Sequence, residues 1–203
     1  MEANTVYLLD DEPGMLKALT RLLKAEGFVV KACLSIKELQ DSYRADCAAC
    51  LVLDMAMPDL NGLEVQAKLQ QEGMQIPIIF LTGRADVPMC ARAIKSGAMD
   101  FLTKPVNDVD LIRAVKAGLG RAVALRQREA EHAALAARAA CLTPKEYEVM
   151  RRVAAGKMNK EIAAEMGTGE QNIKIHRAHV MQKMGCGSVA DLVRMVAQLE
   201  KLW

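Results

Sequence analysis

Three aspartates stand directly after short apolar segments that are far apart in the chain. Asp10 and Asp11 follow Val6–Leu9, and Asp54 follows Cys50–Leu53. If both segments are strands of one parallel sheet, these carboxylates meet outside its carboxyl edge, where such sheets bind ligands. Crowded carboxylates repel one another unless a cation neutralises them, and Mg²⁺ prefers oxygen ligands. The spacing therefore predicts a magnesium site.

Two further polar residues end apolar segments of the same kind. Thr82 follows Ile78–Leu81, and Lys104 follows Asp100–Thr103. A carboxylate beside Mg²⁺, a hydroxyl and an ammonium can attack phosphorus, because each neighbour stabilises charge on the transferring oxygens. Taken singly, each residue is better explained as a turn former, a helix cap or a solvated charge, and Asp11 could simply cap a helix at Pro13. Five such residues at four strand ends favour an aspartyl-phosphate site.

The elements that must position these residues alternate between strand and helix. Apolar residues at helical spacing separate the apolar runs, and glycines close the helices. This alternation predicts an α/β fold, a five-stranded doubly wound parallel sheet with helices on both faces. The five predicted strands are Val6–Leu9, Phe28–Val30, Cys50–Leu53, Ile78–Leu81 and Asp100–Thr103.

One long helix is predicted after the fifth strand. It begins at Asn107 or Asp108 and reaches about Ala140, because the stretch after Gly120 is rich in helix formers and lacks Gly and Pro. A helix of about 30 residues spans roughly 50 Å. Two interpretations stay open, a solvated spacer and a spacer that also pairs with a second copy.

A second domain begins at Thr143, whose pairing with Glu146 predicts a capping box around Pro144. Glycines divide the rest into short helices, and the break at 167–169 fits a helix-turn-helix. The predicted core contains Ile162, Ile173, Val180, Met184, Leu192 and Val196. The four predicted helices are Pro144 to Ala155, Asn159 to Met166, Glu170 to Met184 and Val189 to about Leu202.

The third of these helices presents a mixed outward surface that suits the major groove of DNA. Lys174 is expected near base edges, whereas Lys160, Arg177 and Lys183 are expected at phosphates. The alternative for any single lysine is a solvated surface charge. The full set of predicted DNA-binding residues is Lys160, Gln171, Asn172, Lys174, Ile175, Arg177, Ala178 and Lys183.

Charge and composition support this division. Residues 1–121 hold 14 Lys and Arg against 16 Asp and Glu, whereas residues 142–203 hold 10 against 7, although the whole chain is only +2. The acidic part suits cations, and the basic part suits polyanions. Apolar residues make up 52% of the 203, which excludes a wholly disordered protein.

The six cysteines and the amino terminus point to the cytosol. No secretion signal and no apolar run long enough to span a membrane is evident, so we expect a cytoplasmic protein without membrane contact. We expect the cysteines to be buried, reduced thiols. Cys47 and Cys50 form a C-x-x-C, which leaves a redox or metal role as a minor alternative.

Residues 1–121 resemble a response-regulator receiver domain, which has the flavodoxin-like fold. The resemblance implies that Asp54 is the phosphoacceptor, and that Asp10, Asp11, Asp54 and the Ala56 carbonyl hold Mg²⁺, Asp10 through water. It implies that Thr82 and Phe101 are the switch pair, and that a cis Lys104–Pro105 bond aims the lysine inward. The matching segments are Leu9–Glu12, Leu53–Gly62, Leu81–Gly83 and Gly97–Pro105.

Residues 142–203 resemble a LuxR-type DNA-binding domain through Leu142–Glu146, Asn159–Ala163 and Ile173–His176. With the receiver, and with residues 122–141 as a helical linker, the whole chain resembles the NarL/FixJ response regulators. The segment Gly83–Met89 favours the FixJ side. Asn172 and Gly169 depart from the family pattern, and Gly169 removes a capping oxygen from the third helix.

The resemblance implies a transcription factor in a two-component phosphorelay. A sensor histidine kinase would phosphorylate Asp54, and Thr82 and Phe101 would then move. The surface of the fifth strand and its flanking helices would rearrange and favour a homodimer on promoter DNA, with RNA polymerase as a further partner. Two alternatives stay open. One is an aspartate-based phosphatase, although that chemistry uses a second acid two positions after the nucleophile, where this chain has Ala56. The other is a constitutive or thiol-controlled DNA-binding protein.

Overall fold

The computed structural model describes residues 4–58, 61–83 and 97–200. The chain forms two compact units, Met1–Arg126 and Gln127–Trp203. Residues 84–96, which include most of the segment Gly83–Met89, lie outside the described residues.

The first unit contains a five-stranded parallel sheet in the order β2-β1-β3-β4-β5. Four strands match the predicted segments to within a residue at each end. The second begins one residue later than predicted and ends three residues later, because Lys31 and Ala32 of this edge strand interrupt its apolar run. The strands are β1 Thr5–Leu9, β2 Val29–Cys33, β3 Ala49–Asp54, β4 Ile78–Thr82 and β5 Asp100–Thr103.

Helices cover both faces of this sheet, as predicted. Alternate residues of each strand point to opposite faces. Because helices cover both faces, the central strands are apolar on both. Helices α2 (Ile36–Ser42) and α3 (Gly62–Gln71) pack on the face that includes Tyr7 and Leu53. Helices α1 (Pro13–Ala25) and α4 (Asp108–Ala140) pack on the face that includes Val52.

Helix α4 confirms the predicted long helix. Asn107 caps its start, since its side-chain oxygen accepts from the amides of Val109 and Asp110. At Gly118 the helix passes so close to the sheet that a Cβ would lie 3.1 Å from the Cβ of Cys50. The boundary between the two compact units falls inside this helix, after Arg126.

The second unit is all-α around one aliphatic core. All six predicted core residues are buried in it, and the predicted capping box between Thr143 and Glu146 is present. The observed helices match the predicted ones closely, although residues 201–203 lie outside the described part. They are α5 Pro144–Ala154, α6 Asn159–Glu165, α7 Glu170–Met184 and α8 Val189–Glu200.

The cysteines follow the expectation only in part. The five that the structure describes are free thiols, and Cys33 and Cys50 are buried as expected. Cys141 is exposed, because it lies just beyond the end of α4 and outside both cores. No helix within residues 4–58, 61–83 and 97–200 is long and apolar enough to cross a membrane.

Candidate phosphoacceptor site and DNA-binding surface

The structure brings the three predicted carboxylates together. Strands β1 and β3 are adjacent and in register, with Leu9 opposite Leu53, so the residues that follow them emerge side by side. Oxygens of Asp10, Asp11 and Asp54 all lie within 4.8 Å of one another. Asp10 is 2% exposed and Asp54 is 5% exposed, whereas Asp11 is open to solvent.

Lys104 reaches the same site from the far edge of the sheet. It directly follows β5, and its peptide bond to Pro105 is cis, as the resemblance implied. Its Nζ lies 2.9 Å from an oxygen of Asp10 and 3.0 Å from an oxygen of Asp54. One ammonium therefore bridges two nearly buried carboxylates.

This geometry sets the electrostatics of Asp54. Burial raises the pKa of its carboxyl group and the charge of Asp10 acts in the same direction, while Lys104 partly offsets both. For Lys104, burial acts to lower the pKa, but the hydrogen bonds and charges of Asp10 and Asp54 outweigh it. The pKa of Lys104 is therefore raised, and its positive charge is secure at neutral pH.

The predicted switch residues lie on the two strands next to β3. Thr82 is buried at the end of β4, one residue beyond the position paired with Asp54. Phe101 is half-buried on β5, opposite Phe80, and packs against the core. Thr82 therefore lies at the same carboxyl edge of the sheet as Asp54, whereas Phe101 lies two residues before the end of β5.

The described residues on either side of positions 59 and 60, between β3 and α3, make close backbone contacts. Ala56 is exposed and forms an isolated bridge with Asn61, and its backbone hydrogen bond lowers the pKa of Asp54. Gly62 begins α3 against the end of the strand, where a Cβ would lie 2.8 Å from the ring of Phe80 and 3.1 Å from the Asp54 carbonyl oxygen. Only glycine fits this approach without displacing the strand that carries Asp54.

The donor set fits a hard divalent cation. Three carboxylates against the single ammonium of Lys104 leave a formal charge of −2 in a largely buried site. One contact was not predicted: the backbone N–H of Glu12 donates to Asp10, at 2.8 Å, and fixes the carboxylate. This is a turn of the kind that Asp favours, in which the side chain accepts from the amide two residues on, but an aspartate after a strand has other roles too and its type alone did not reveal the bond.

In the second unit, α6 and α7 form the predicted helix-turn-helix. Gly167 adopts a left-handed conformation between them, with φ 61°. Gly169 provides no side-chain cap to α7, as expected from its departure from the family pattern. The exposed face of α7 contains Gln171, Lys174, Ile175 and Ala178, and Lys160 is exposed on α6.

The remaining predicted DNA-binding residues are bonded within the unit. Arg177, predicted to lie at a phosphate, is half-buried and donates to Asn159 Oδ1 at 3.0 Å, because it lies one helical turn after buried Ile173. The side chain of Asn172 donates to the Thr168 hydroxyl at 3.1 Å. These bonds hold α7 to α6 and the preceding turn.

Lys183 binds a carboxylate of the same unit. Its Nζ lies 2.6 Å from Glu146, which is only 3% exposed, and His179 Nδ1 lies 3.5 Å from the other oxygen of the same carboxylate. The hydrogen bond from Lys183, together with the backbone N–H of Thr143, lowers the pKa of Glu146 to about 2. The capping role of Glu146 was predicted, but its contact with α7 was not.

The thiol alternative has little structural support. Cys50 is buried under α4, and burial raises the pKa of its thiol to about 12, so it is protonated at neutral pH. Cys47 is half-buried with its Sγ 3.7 Å from the Thr5 hydroxyl, and both cysteines are free.

Comparisons with known proteins agree with both units. Residues 6–116 match the response regulator receiver domain, and residues 140–196 match the luxR family of bacterial regulatory proteins. The chain is 44% identical over 197 residues to nodulation protein W of Bradyrhizobium diazoefficiens, covering 96% of this chain and 87% of that protein.

Two solved structures extend the likeness over nearly the full length. The response regulator StyR superposes with a TM-score of 0.85 at 36% identity, covering 97% of this chain and 99% of that one. Full-length FixJ from B. japonicum gives a TM-score of 0.58 at 33% identity, covering 99% and 98%. The chain therefore belongs to the NarL/FixJ family of response regulators, transcription regulators that join a receiver domain to a LuxR-type DNA-binding domain.

Proposed function

We propose that a partner histidine kinase phosphorylates Asp54 and that phosphorylation controls dimerisation and sequence-specific binding of promoter DNA. The observation that carries this proposal is the convergence of Asp10, Asp54 and Lys104 at the edge of the sheet. In the transfer, an oxygen of Asp54 forms the new bond to phosphorus as the nitrogen–phosphorus bond of the donor breaks. Lys104 stabilises the charge of the transferring oxygens.

Mg²⁺ is the proposed cofactor. The side chains of Asp10, Asp11 and Asp54 and the carbonyl of Ala56 would hold it, with Asp10 acting through water. When bound, the ion neutralises the acidic cluster and the phosphoryl oxygens. We propose that the domain accepts phosphate from a phosphodonor and slowly loses it. It would not act as an enzyme on an external substrate.

The switch is proposed to run through Thr82 and Phe101. Phosphorylation leaves a group of roughly −1.5 to −2 charges where Asp54 carried one. The Thr82 hydroxyl would move toward the new oxygens and Phe101 would turn inward, which would alter the surface around β5. That surface would then favour a homodimer, whose paired DNA-binding domains read two half-sites.

For DNA recognition we propose that four exposed residues of α7 face the bases, namely Gln171, Lys174, Ile175 and Ala178, with Lys160 at a phosphate. Asn172, Arg177 and Lys183 remain in the predicted set, but each would first have to leave an intramolecular partner. Among the residues that the structure describes, the Lys174 ammonium pairs only with Glu170, at a long 3.8 Å, so Lys174 is the better placed cation.

The proposed domain boundaries are 1–121 for the receiver, 122–141 for the linker and 142–203 for the DNA-binding domain. We propose that the protein acts in the cytoplasm, and that RNA polymerase is a further partner at the promoter.

Phosphodonor labelling tests the proposal. With Mg²⁺, radiolabelled acetyl phosphate should label the wild type, and Asp54→Asn should abolish labelling. Asp41→Asn, which alters an exposed aspartate on α2, is the matched control and should keep the label. Sedimentation and DNA-binding assays on the same samples should show phosphate-dependent dimerisation and promoter affinity in the wild type and in Asp41→Asn, but not in Asp54→Asn. If Asp54→Asn retains either response, the mechanism fails.

A further inference from the structure

The last turns of α4 are built into the DNA-binding unit. The luxR-family match begins only at residue 140, yet the compact unit begins at Gln127. Leu135 is 6% exposed and belongs to the same core as Val149 and Met184, and Ala139 packs against that core. The segment 127–140 precedes the matched domain in the sequence, but its side chains are part of the same helical core.

Arg138, in this segment, contacts the carboxyl end of α7. Its Nη1 donates to the carbonyl oxygen of Met184, the last residue of that helix, at 3.3 Å. The next residue, Gly185, is left-handed with φ 69°, and a Cβ there would lie 3.3 Å from the same Nη1. The guanidinium thus lies directly against the turn that ends α7.

The contact satisfies a carbonyl group that the helix itself cannot. The last carbonyls of a helix lack intrahelical partners and carry partial negative charge, so a cation that bonds to them stabilises the end. The amide of Gly185 bonds to the Gln182 carbonyl, and the amide of Cys186 bonds to the Met181 carbonyl. Arg138 provides a donor for the carbonyl of Met184, which is fully buried as a residue.

We propose that Arg138 is a positioning residue for α7, which it holds by its carboxyl end for base recognition. This inference rests on the proposed DNA-binding role of α7. Arg138 need not touch DNA, since the exposed residues proposed to face the bases, Gln171, Lys174, Ile175 and Ala178, all lie six or more residues before Met184. By fixing the opposite end, Arg138 sets the angle of that half in the groove, and it does so from the helix that leads in from the receiver.

The test compares Arg138→Gln with Arg128→Gln in the full-length protein. Arg128 is an exposed arginine of the same helix segment, so its loss controls for charge and helix propensity. Each acetyl-phosphate-treated protein is titrated by fluorescence anisotropy with a duplex selected by the wild type and with a scrambled duplex. A displaced recognition helix reduces the difference between the two affinities, whereas loss of a charge weakens both alike.

Arg138→Gln should bind the selected duplex about five- to tenfold more weakly, with less than about a twofold change for the scrambled duplex. Arg128→Gln should keep the wild-type ratio, and Arg138→Lys should recover most of it because lysine can also donate to the carbonyl. Amide exchange at Gly185 and Cys186 should accelerate in Arg138→Gln only.

An unchanged affinity ratio in Arg138→Gln, or a parallel loss for both duplexes, overturns the positioning role. Failure of the wild type itself to select a duplex would instead overturn the proposed function, so the two failures are distinguishable. If Arg138→Gln does not fold, the comparison of Arg138→Lys with wild type decides, since a folded lysine variant with wild-type amide exchange and a wild-type ratio supports the contact. A folded lysine variant that keeps wild-type amide exchange at Gly185 and Cys186 but has lost the ratio overturns it.

Discussion

Replacing Lys104 by Met should destabilise the receiver strongly when Mg²⁺ is absent. The ammonium lies 2.9 and 3.0 Å from Asp10 and Asp54, whose side chains are 3% and 6% exposed. At an effective dielectric constant of about 20, each contact is worth roughly 5 kcal/mol before desolvation. Desolvation of the ammonium offsets several kcal/mol of that total, and removing one partner of a buried pair typically costs about 3–5 kcal/mol.

The loss should depend on pH and on Mg²⁺. Burial already raises the pKa of Asp54, and without Lys104 the pKa rises further. A carboxyl group with a raised folded-state pKa stabilises the protein below its unfolded pKa of 3.8, and this stability is lost as pH rises toward the folded value. The destabilisation of Lys104→Met should therefore be greater at pH 8 than at pH 5. Mg²⁺ should stabilise the variant more than it stabilises the wild type.

Differential scanning calorimetry in EDTA, repeated with Mg²⁺, measures these effects. The receiver transition, identified by its response to Mg²⁺, should move down by about 10–20 °C at pH 8 in the variant. Lys68→Met, an exposed lysine of α3, is the matched control and should change little. An unchanged transition in EDTA, or an equal response of variant and wild type to Mg²⁺, would refute the reasoning.

Three comparisons between variants test other contacts. Lys160→Ala, at the exposed lysine proposed to bind a phosphate, should reduce the salt dependence of DNA binding by about one unit of slope with little change in stability, whereas Lys183→Ala should lower the Tm of the helical unit with little change in slope; the reverse pattern would show that the contact with Glu146 is not the main role of Lys183. Gly62→Ala should cost about 1–3 kcal/mol in urea unfolding because its Cβ meets backbone, whereas Gly14→Ala, which meets nothing within 4 Å, should not destabilise α1. Since the pKa of Glu146 falls from 4.5 to about 2, its stabilising effect should be present above pH 4.5 and disappear as pH falls toward 2; acid titrations followed by circular dichroism should show that loss in wild type and not in Glu146→Gln.

The fold could be predicted from the sequence because its signals are local. Apolar runs define β1, β3 and β4, which are buried on both faces, and helix ends are marked by glycines and capping residues. The exception was β2, where Lys31 and Ala32 fall within an edge strand and break the apolar pattern. The acidic site was predictable for a related reason, since strand ends in a parallel sheet meet at one edge whatever the loops between them.

Contacts between helices could not be predicted in the same way. The bond from Arg177 to Asn159 joins residues 18 apart, and that from Lys183 to Glu146 joins residues 37 apart. Each bond depends on how one helix is rotated about its axis against the other. Apolar periodicity indicates which broad face of a helix is buried, but not its exact rotation. A residue at the edge of that face can therefore be solvated or bonded, and its type alone does not decide.

Chemical mapping of the phosphorylated residue tests the central claim most directly. Borohydride reduces an aspartyl phosphate to homoserine, so the wild-type protein is treated with phosphorylated kinase or acetyl phosphate and Mg²⁺, reduced, digested and sequenced by mass spectrometry. We predict homoserine at position 54, in proportion to the gain in promoter affinity of the same sample. Homoserine at Asp10, Asp11 or elsewhere, or a gain in affinity without any conversion at position 54, would contradict the account.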